Sequence, residues 1–244
     1  MPRLFVLLVL LVVSCNISEA QTRMPRPYGS VAVSRSEIAF TFAGDIWIVD
    51  RSGGDARRLM SSPNWKAYPV FSPDGSEIAF SMYANNNLDV YVIPISGGEP
   101  RRLTYHPGVD FVSGWTPDGK AVLVESFRAA QRFSGESRLL TISAGGGMPA
   151  ELPFPQAGMG SFSPDGARIA YMPLPLPPQD QFHRNYRGGA ASSILIANLS
   201  DSRVEELPRS GSNDSLPMWL GNNIYFTSDR AGAYNLFAYD TRSK

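Results

Sequence analysis

One four-part pattern recurs nearly five times along this chain, and it restricts the fold more than any other feature. Its first column reads Ile38-Ala39-Phe40, Ile78-Ala79-Phe80, Val122-Leu123-Val124, Ile169-Ala170-Tyr171 and Ile224-Tyr225-Phe226. Three of these follow a turn: Ser72-Pro73-Asp74-Gly75, Thr116-Pro117-Asp118-Gly119 and Ser163-Pro164-Asp165-Gly166. A second apolar column comes next: Asp45-Ile46-Trp47-Ile48, Asp89-Val90-Tyr91-Val92, Arg138-Leu139-Leu140-Thr141, Ser193-Ile194-Leu195-Ile196 and Asn235-Leu236-Phe237-Ala238. Gly53-Gly54, Gly97-Gly98 and Gly145-Gly146-Gly147 then lead into short segments ending at Leu59, Leu103 and Leu152.

Each column has a local physical reading. Pro presets φ at the first central position of a type I turn, Asp bonds its own backbone at the second, and Gly takes the left-handed residue that follows. Asp74, Gly75, Asp118, Gly119, Asp165 and Gly166 are therefore assigned to turn formation. β-branched and aromatic residues fill the segments between turns, and no long stretch has a helical period. The chain is all-β. Four short strands per unit at a period of roughly 40–50 residues predict a β-propeller of four-stranded antiparallel blades. The blades fall at about residues 28–61, 62–106, 107–153 and 154–208, with an incomplete blade over 209–244, so that residues 28–244 form the propeller. The chain reads as four complete blades plus part of a fifth, a piece of a larger repeat protein.

Residues 1–20 have the pattern of a signal peptide, with Arg3 ahead of an apolar run over 4–13 that is too short to span a bilayer. Ser18-Glu19-Ala20 offers a cleavage site, which makes 21–27 a short linker. Leu11-Val12-Val13-Ser14-Cys15 also resembles a lipobox, in which Cys15 would carry a lipid anchor. Either reading places the protein outside the cytoplasm, in the periplasm or beyond. Cys15 is the only cysteine, so no intrachain disulfide can form. Lys and Arg together number 22, as do Asp and Glu, which argues against broad binding to nucleic acid or an anionic membrane.

The run Phe71-Ser72-Pro73-Asp74-Gly75 … Ile78-Ala79-Phe80, with Asp89-Val90-Tyr91-Val92 and Gly98-Glu99-Pro100-Arg101-Arg102-Leu103-Thr104, resembles the WD40-like repeat of the TolB and tricorn families. Thr41-Phe42-Ala43-Gly44-Asp45-Ile46-Trp47, Tyr105-His106-Pro107-Gly108, Tyr186-Arg187-Gly188-Gly189 and Phe226-Thr227-Ser228-Asp229-Arg230 make it closer to the amino-terminal propeller of tricorn-type serine peptidases. That resemblance implies a parent that continues into a second propeller, a PDZ-like domain and a catalytic region, with propellers that guide peptides to or from it. The family's catalytic residues have no matching positions in these residues. The alternative is an independent TolB-like periplasmic propeller that binds a partner protein.

The residues themselves offer little chemistry. The two histidines, His106 and His183, lie in a turn and in a polar insertion, and no Gly-x-Ser-x-Gly elbow occurs. No metal-ligand spacing and no phosphate loop are present, so neither a metal nor a cofactor is expected. Trp47, Tyr91 and Phe237 share a column and are expected between blades, whereas Asp45 and Asp89 are expected to tie blades together by hydrogen bonds. Arg57-Arg58 and Arg101-Arg102 read as a basic rim with one Arg of each pair facing out. In a propeller the second-to-third turns and the blade crossovers share one face. The long segments 83–87, 128–137 and 173–189 fall there, and variable loops on a rigid scaffold are where binding concentrates. Within the last of them Phe182, His183, Arg184, Tyr186 and Arg187 are the candidate binding residues, suited to peptides or to other domains of the parent.

Overall fold

The computed structural model describes residues 28–128, 136–173, 188 and 191–243. Among the described residues nineteen strands form five antiparallel sheets in chain order. The first blade is β1 (Tyr28–Val33), β2 (Glu37–Phe42), β3 (Asp45–Asp50) and β4 (Arg57–Arg58). The second is β5 (Trp65–Phe71), β6 (Glu77–Ala84), β7 (Asn87–Pro94) and β8 (Arg101–Arg102). The third is β9 (Asp110–Trp115), β10 (Ala121–Ser126), β11 (Arg138–Ser143) and β12 (Ala150–Glu151). The fourth is β13 (Gly158–Phe162), β14 (Arg168–Met172), β15 (Leu195–Asn198) and β16 (Val204–Glu206). The fifth has three strands, β17 (Asp214–Leu220), β18 (Asn223–Ser228) and β19 (Asn235–Asp240). The described residues are all β and form five propeller blades, the fifth with three strands.

Strands within each blade are joined in sequence order, and the first strands of successive blades touch one another, which makes them the innermost. The Pro-Asp-Gly segments close the β5–β6, β9–β10 and β13–β14 hairpins. Gly75, Gly119 and Gly166 donate their N–H groups to the carbonyls of Ser72, Thr116 and Ser163, and take φ of 76°, 70° and 70°. The aspartates accept the hydroxyls of those same residues and the N–H of the residue two further on. These bonds hold the exposed Asp74 carboxyl down at about 2, the Ser72 hydroxyl being the largest cause. The turns also stack from blade to blade, with Gly119 against Pro73 and Gly166 against Pro117.

The core is distributed between blades rather than centred in one place. Four buried clusters lie at the four junctions of consecutive blades. In the first, Phe80 and Tyr91 stack and face Ala39, Ile46 and Ile48 of the preceding blade. Phe226 and Phe237 form the same stack in the fifth blade, facing the fourth. Trp47, in the first blade, packs edge-on with Phe42 and keeps a buried indole N–H that meets no acceptor among the described residues. Polar bonds reinforce the junctions. The Ser81 and Glu125 side chains accept the N–H groups of Val112 and Met159 from the next blade's first strand.

The two arginine pairs have more specific partners than a solvated rim. Arg57 and Arg101, the outward members, reach across to the carbonyls of Ile95 and Ala144 in the following blade. Arg102 turns inward onto Asp89. Asp45 bonds Lys66 of the next blade, whereas Asp89 is engaged within its own blade by Arg102 and Thr104.

Candidate functional site

The loops divide the propeller into two unlike faces. One carries the Pro-Asp-Gly turns and the glycine turns before the fourth strands. The other carries the second-to-third turns and the crossovers. On this second face the expected irregular loop over 83–87 is replaced by a two-residue hairpin. Asn85 and Asn86 take φ of 51° and 62°, and pairing runs to Ala84 opposite Asn87. Asn tolerates the left-handed region well enough to build such a turn, and the run of three asparagines conceals it in the sequence. Ala43 and Gly44 make the equivalent turn in the first blade. Phe182, His183, Arg184, Tyr186 and Arg187 lie outside the described residues, as do Cys15 and the leader.

The described part of this face presents an aromatic patch on the second blade. Trp65 and Tyr83 are directly opposite across β5 and β6, and are 51% and 47% exposed. The Tyr83 hydroxyl donates to Asn86 Oδ1, which fixes the ring over the hairpin. The neighbouring crossover adds Tyr105, 70% exposed, with Arg102 stacked on its ring at 4.6 Å and its hydroxyl bonded to the Arg102 carbonyl. The Asn87 amide donates to the His106 carbonyl at 2.7 Å and ties hairpin to crossover. Rings held in this way lose little freedom on binding, which suits an interaction surface. Tyr83 and His106 were within reach of sequence reasoning, but the Trp65–Tyr83 pairing depends on a bulge between Ala67 and Val70 that shifts the register.

Beneath the patch lies a polar layer. Asp89 is fully buried and bonded to Arg102 at 2.7 Å and to the Thr104 hydroxyl at 3.1 Å. Burial pushes its carboxyl above the usual range, against the pull of Arg102 and Thr104. Asp110, also fully buried, meets Arg128 at 3.3 Å. The fifth blade repeats that pair as Asp214 and Arg230 at 2.8 Å. His106 uses Nδ1 to accept the Gly108 N–H, a loop-shaping bond. Among the described residues no three or more His, Cys, Asp or Glu side chains converge on a metal-binding position. The arrangement suits recognition by aromatic and polar contact.

Comparisons with known proteins agree with this architecture. The family described as the tricorn protease N-terminal beta propeller domain matches residues 26–244. Tricorn protease homolog 1 of Streptomyces coelicolor is 28% identical over 221 residues, which are 90% of this chain and 20% of that protein. The crystal structure of the tricorn protease superposes with a TM-score of 0.75 at 26% identity, covering 91% of this chain and 22% of that one. A putative TolB from Agrobacterium tumefaciens gives a TM-score of 0.70 at 18% identity, covering 88% of this chain and 78% of the other, a likeness of fold. The chain thus spans about a fifth of the length of the tricorn proteins it matches.

Proposed function

As the chain belongs to the family of tricorn protease amino-terminal β-propellers, we propose that it serves as a non-catalytic scaffold that guides peptides to or from the catalytic region of an exported tricorn-like serine peptidase. The observation that carries this reading is the contrast between the two faces. One is built from stereotyped turns, while the other exposes Trp65, Tyr83 and Tyr105 on a rigid hairpin and crossover. Aromatic side chains of this kind grip extended peptides through ring contacts that tolerate varied sequence.

The test uses fluorescently labelled peptides of mixed sequence and the purified chain, read by anisotropy. Binding should weaken about tenfold in Trp65→Ala/Tyr83→Ala, the loss expected of a central aromatic contact worth about 1.4 kcal/mol. Equal binding by wild type and variant, or none by either, would refute the reading. The exposed rings would equally serve a folded partner protein, as in a TolB-like module. Capture of a folded protein in place of free peptides, lost in the same variant, would favour that second reading. Export is proposed from residues 1–20 and is tested by sequencing the mature amino terminus, with Gln21 expected for cleavage and a lipidated Cys15 for an anchored form.

A further inference from the structure

The junction between the first and second blades is fastened by Lys66. Its side chain has no exposed surface, and its ammonium sits among four oxygens. Asp45 Oδ1 lies at 2.6 Å, with the carbonyls of Asn64 at 2.7 Å, Ser62 at 2.9 Å and Gly44 at 3.4 Å.

The next junction repeats this one in register. Lys66 lies opposite Met82, and Asp110 lies opposite Ser126, at the same step of successive first strands. Asp45 lies opposite Phe42, and Asp89 opposite Met82, at the same step of successive third strands. The crossovers from Leu59 to Lys66 and from Leu103 to Asp110 have equal length, with Pro63 and Pro107 at the same place. Both begin alike, with the Leu59 and Leu103 N–H groups on the carbonyls of Ile46 and Val90. By this register the carbonyls of His106, Gly108 and Leu88 correspond to those of Ser62, Asn64 and Gly44.

The chemistry differs most at Lys66, which becomes Asp110, while Thr104 and Arg128 stand where the first junction has Met60 and Ala84. Where the first junction sets a carboxylate against an ammonium, the second sets Asp89 against Asp110, close enough for their charges to interact. Asp110 Oδ2 is met by Arg128, but Oδ1 is buried and meets no donor among the described residues. In the fifth blade the corresponding oxygen, Asp214 Oδ1, accepts the hydroxyls of Ser212 and Ser228. Gly108 replaces the first of these hydroxyls. The second, on Ser126, accepts from Arg128 as Ser228 does from Arg230, but does not reach Oδ1. A buried carboxylate oxygen left in this state is costly unless something positive or hydrogen-bonding meets it.

We propose that a hard cation of the calcium class binds between the second and third blades, in the place the Lys66 ammonium fills one junction earlier. Its ligands are Asp110 Oδ1, the Asp89 carboxylate and the crossover carbonyls of His106 and Gly108. Carboxylate and carbonyl oxygens select calcium over transition metals. Arg102 and Arg128 each offset one carboxylate, and the His106 carbonyl already accepts the Asn87 amide. Affinity therefore falls in the weak range of about 0.1–1 mM seen in extracellular modules.

The test is thermal unfolding of the chelator-treated chain in CaCl2, MgCl2 or KCl at matched ionic strength. Calcium should raise Tm saturably, magnesium less so, and potassium not at all. Asp89→Asn should weaken the apparent affinity at least tenfold, and Asp110→Asn should abolish the response. Asp110→Lys, which copies the Lys66 ammonium, should ignore calcium. A flat wild-type response, or an equal response in Asp110→Asn, overturns the proposal and leaves a water on Oδ1. Should Asp110→Asn fail to fold, calorimetric titration of the wild type with CaCl2 decides, and an absence of single-site binding overturns it.

Discussion

Replacing Lys66 by Met isolates the energetics of the first junction. The methionine fills the space of the lysine stem, so packing is nearly conserved and the loss is that of the ammonium. Three short bonds vanish, to Asp45 Oδ1 and to the Ser62 and Asn64 carbonyls. Breaking one partner out of a buried ion pair costs about 3–5 kcal/mol. Asp45 keeps 17% of its side-chain surface exposed and retains Arg58 at 3.5 Å, so water and a second cation soften the loss. The lower end, about 3 kcal/mol, is expected. In a domain of this size that lowers Tm by roughly 6–12 °C. Adding Asp45→Asn removes the orphaned charge and should recover about 1–2 kcal/mol, a coupling readable in a double-mutant cycle. Equilibrium urea denaturation followed by tryptophan fluorescence measures all four corners. Because the pair is buried, the single-mutant cost should change little between low and high salt. A cost below about 1 kcal/mol, or a double variant no better than Lys66→Met, would show that the cage is solvated and the reasoning wrong.

Three substitutions at two other positions probe different layers. Glu125 is buried, and desolvation lifts its carboxyl above the ordinary 4.5, outweighing its bonds from the Met159 N–H and Ser137. A raised acid contributes stability that is present below its unfolded value and lost as pH rises through the folded value. Glu125→Gln should therefore gain on wild type as pH rises from 4 towards 8 in denaturant titrations. Glu125→Ala, which leaves the Met159 N–H without its acceptor, should cost about 1–3 kcal/mol. Gly119 has φ of 70° and room for a Cβ only against Pro73 at 3.6 Å. Gly119→Ala should cost about 1–2 kcal/mol from backbone strain, visible as a lowered urea midpoint with an unchanged m-value.

The periodic parts of this molecule were readable in the sequence because each rests on local chemistry. A Pro-Asp-Gly turn carries its own hydrogen bonds, and the alternation in Ile78-Ala79-Phe80 announces a strand wherever it lies. The junction chemistry was hidden because it depends on which residues meet across blades. Nothing in the sequence around Lys66 marks it, yet burial beside Asp45 makes it a fastening. Trp65 and Tyr83 stand 18 positions apart, and only the bulged register brings them opposite. Asn85-Asn86 reads as an irregular loop until both residues are seen to be left-handed.

The arginines of the short outer strands also bear on how the molecule comes into being. Arg57 grips the carbonyl of Ile95, and Arg101 grips that of Ala144, each reaching a sheet that lies later in the chain. During synthesis the amino-terminal blades emerge first. The latch on each blade is therefore made before its catch exists. A blade leaving the ribosome must hold its own hairpins together until some 40 further residues have appeared, about two to eight seconds at ordinary elongation rates. The self-bonded turns meet that need, because they require nothing from a neighbour. Assembly then has a direction: each newly completed blade secures the one before it, and the newest blade is always the least protected.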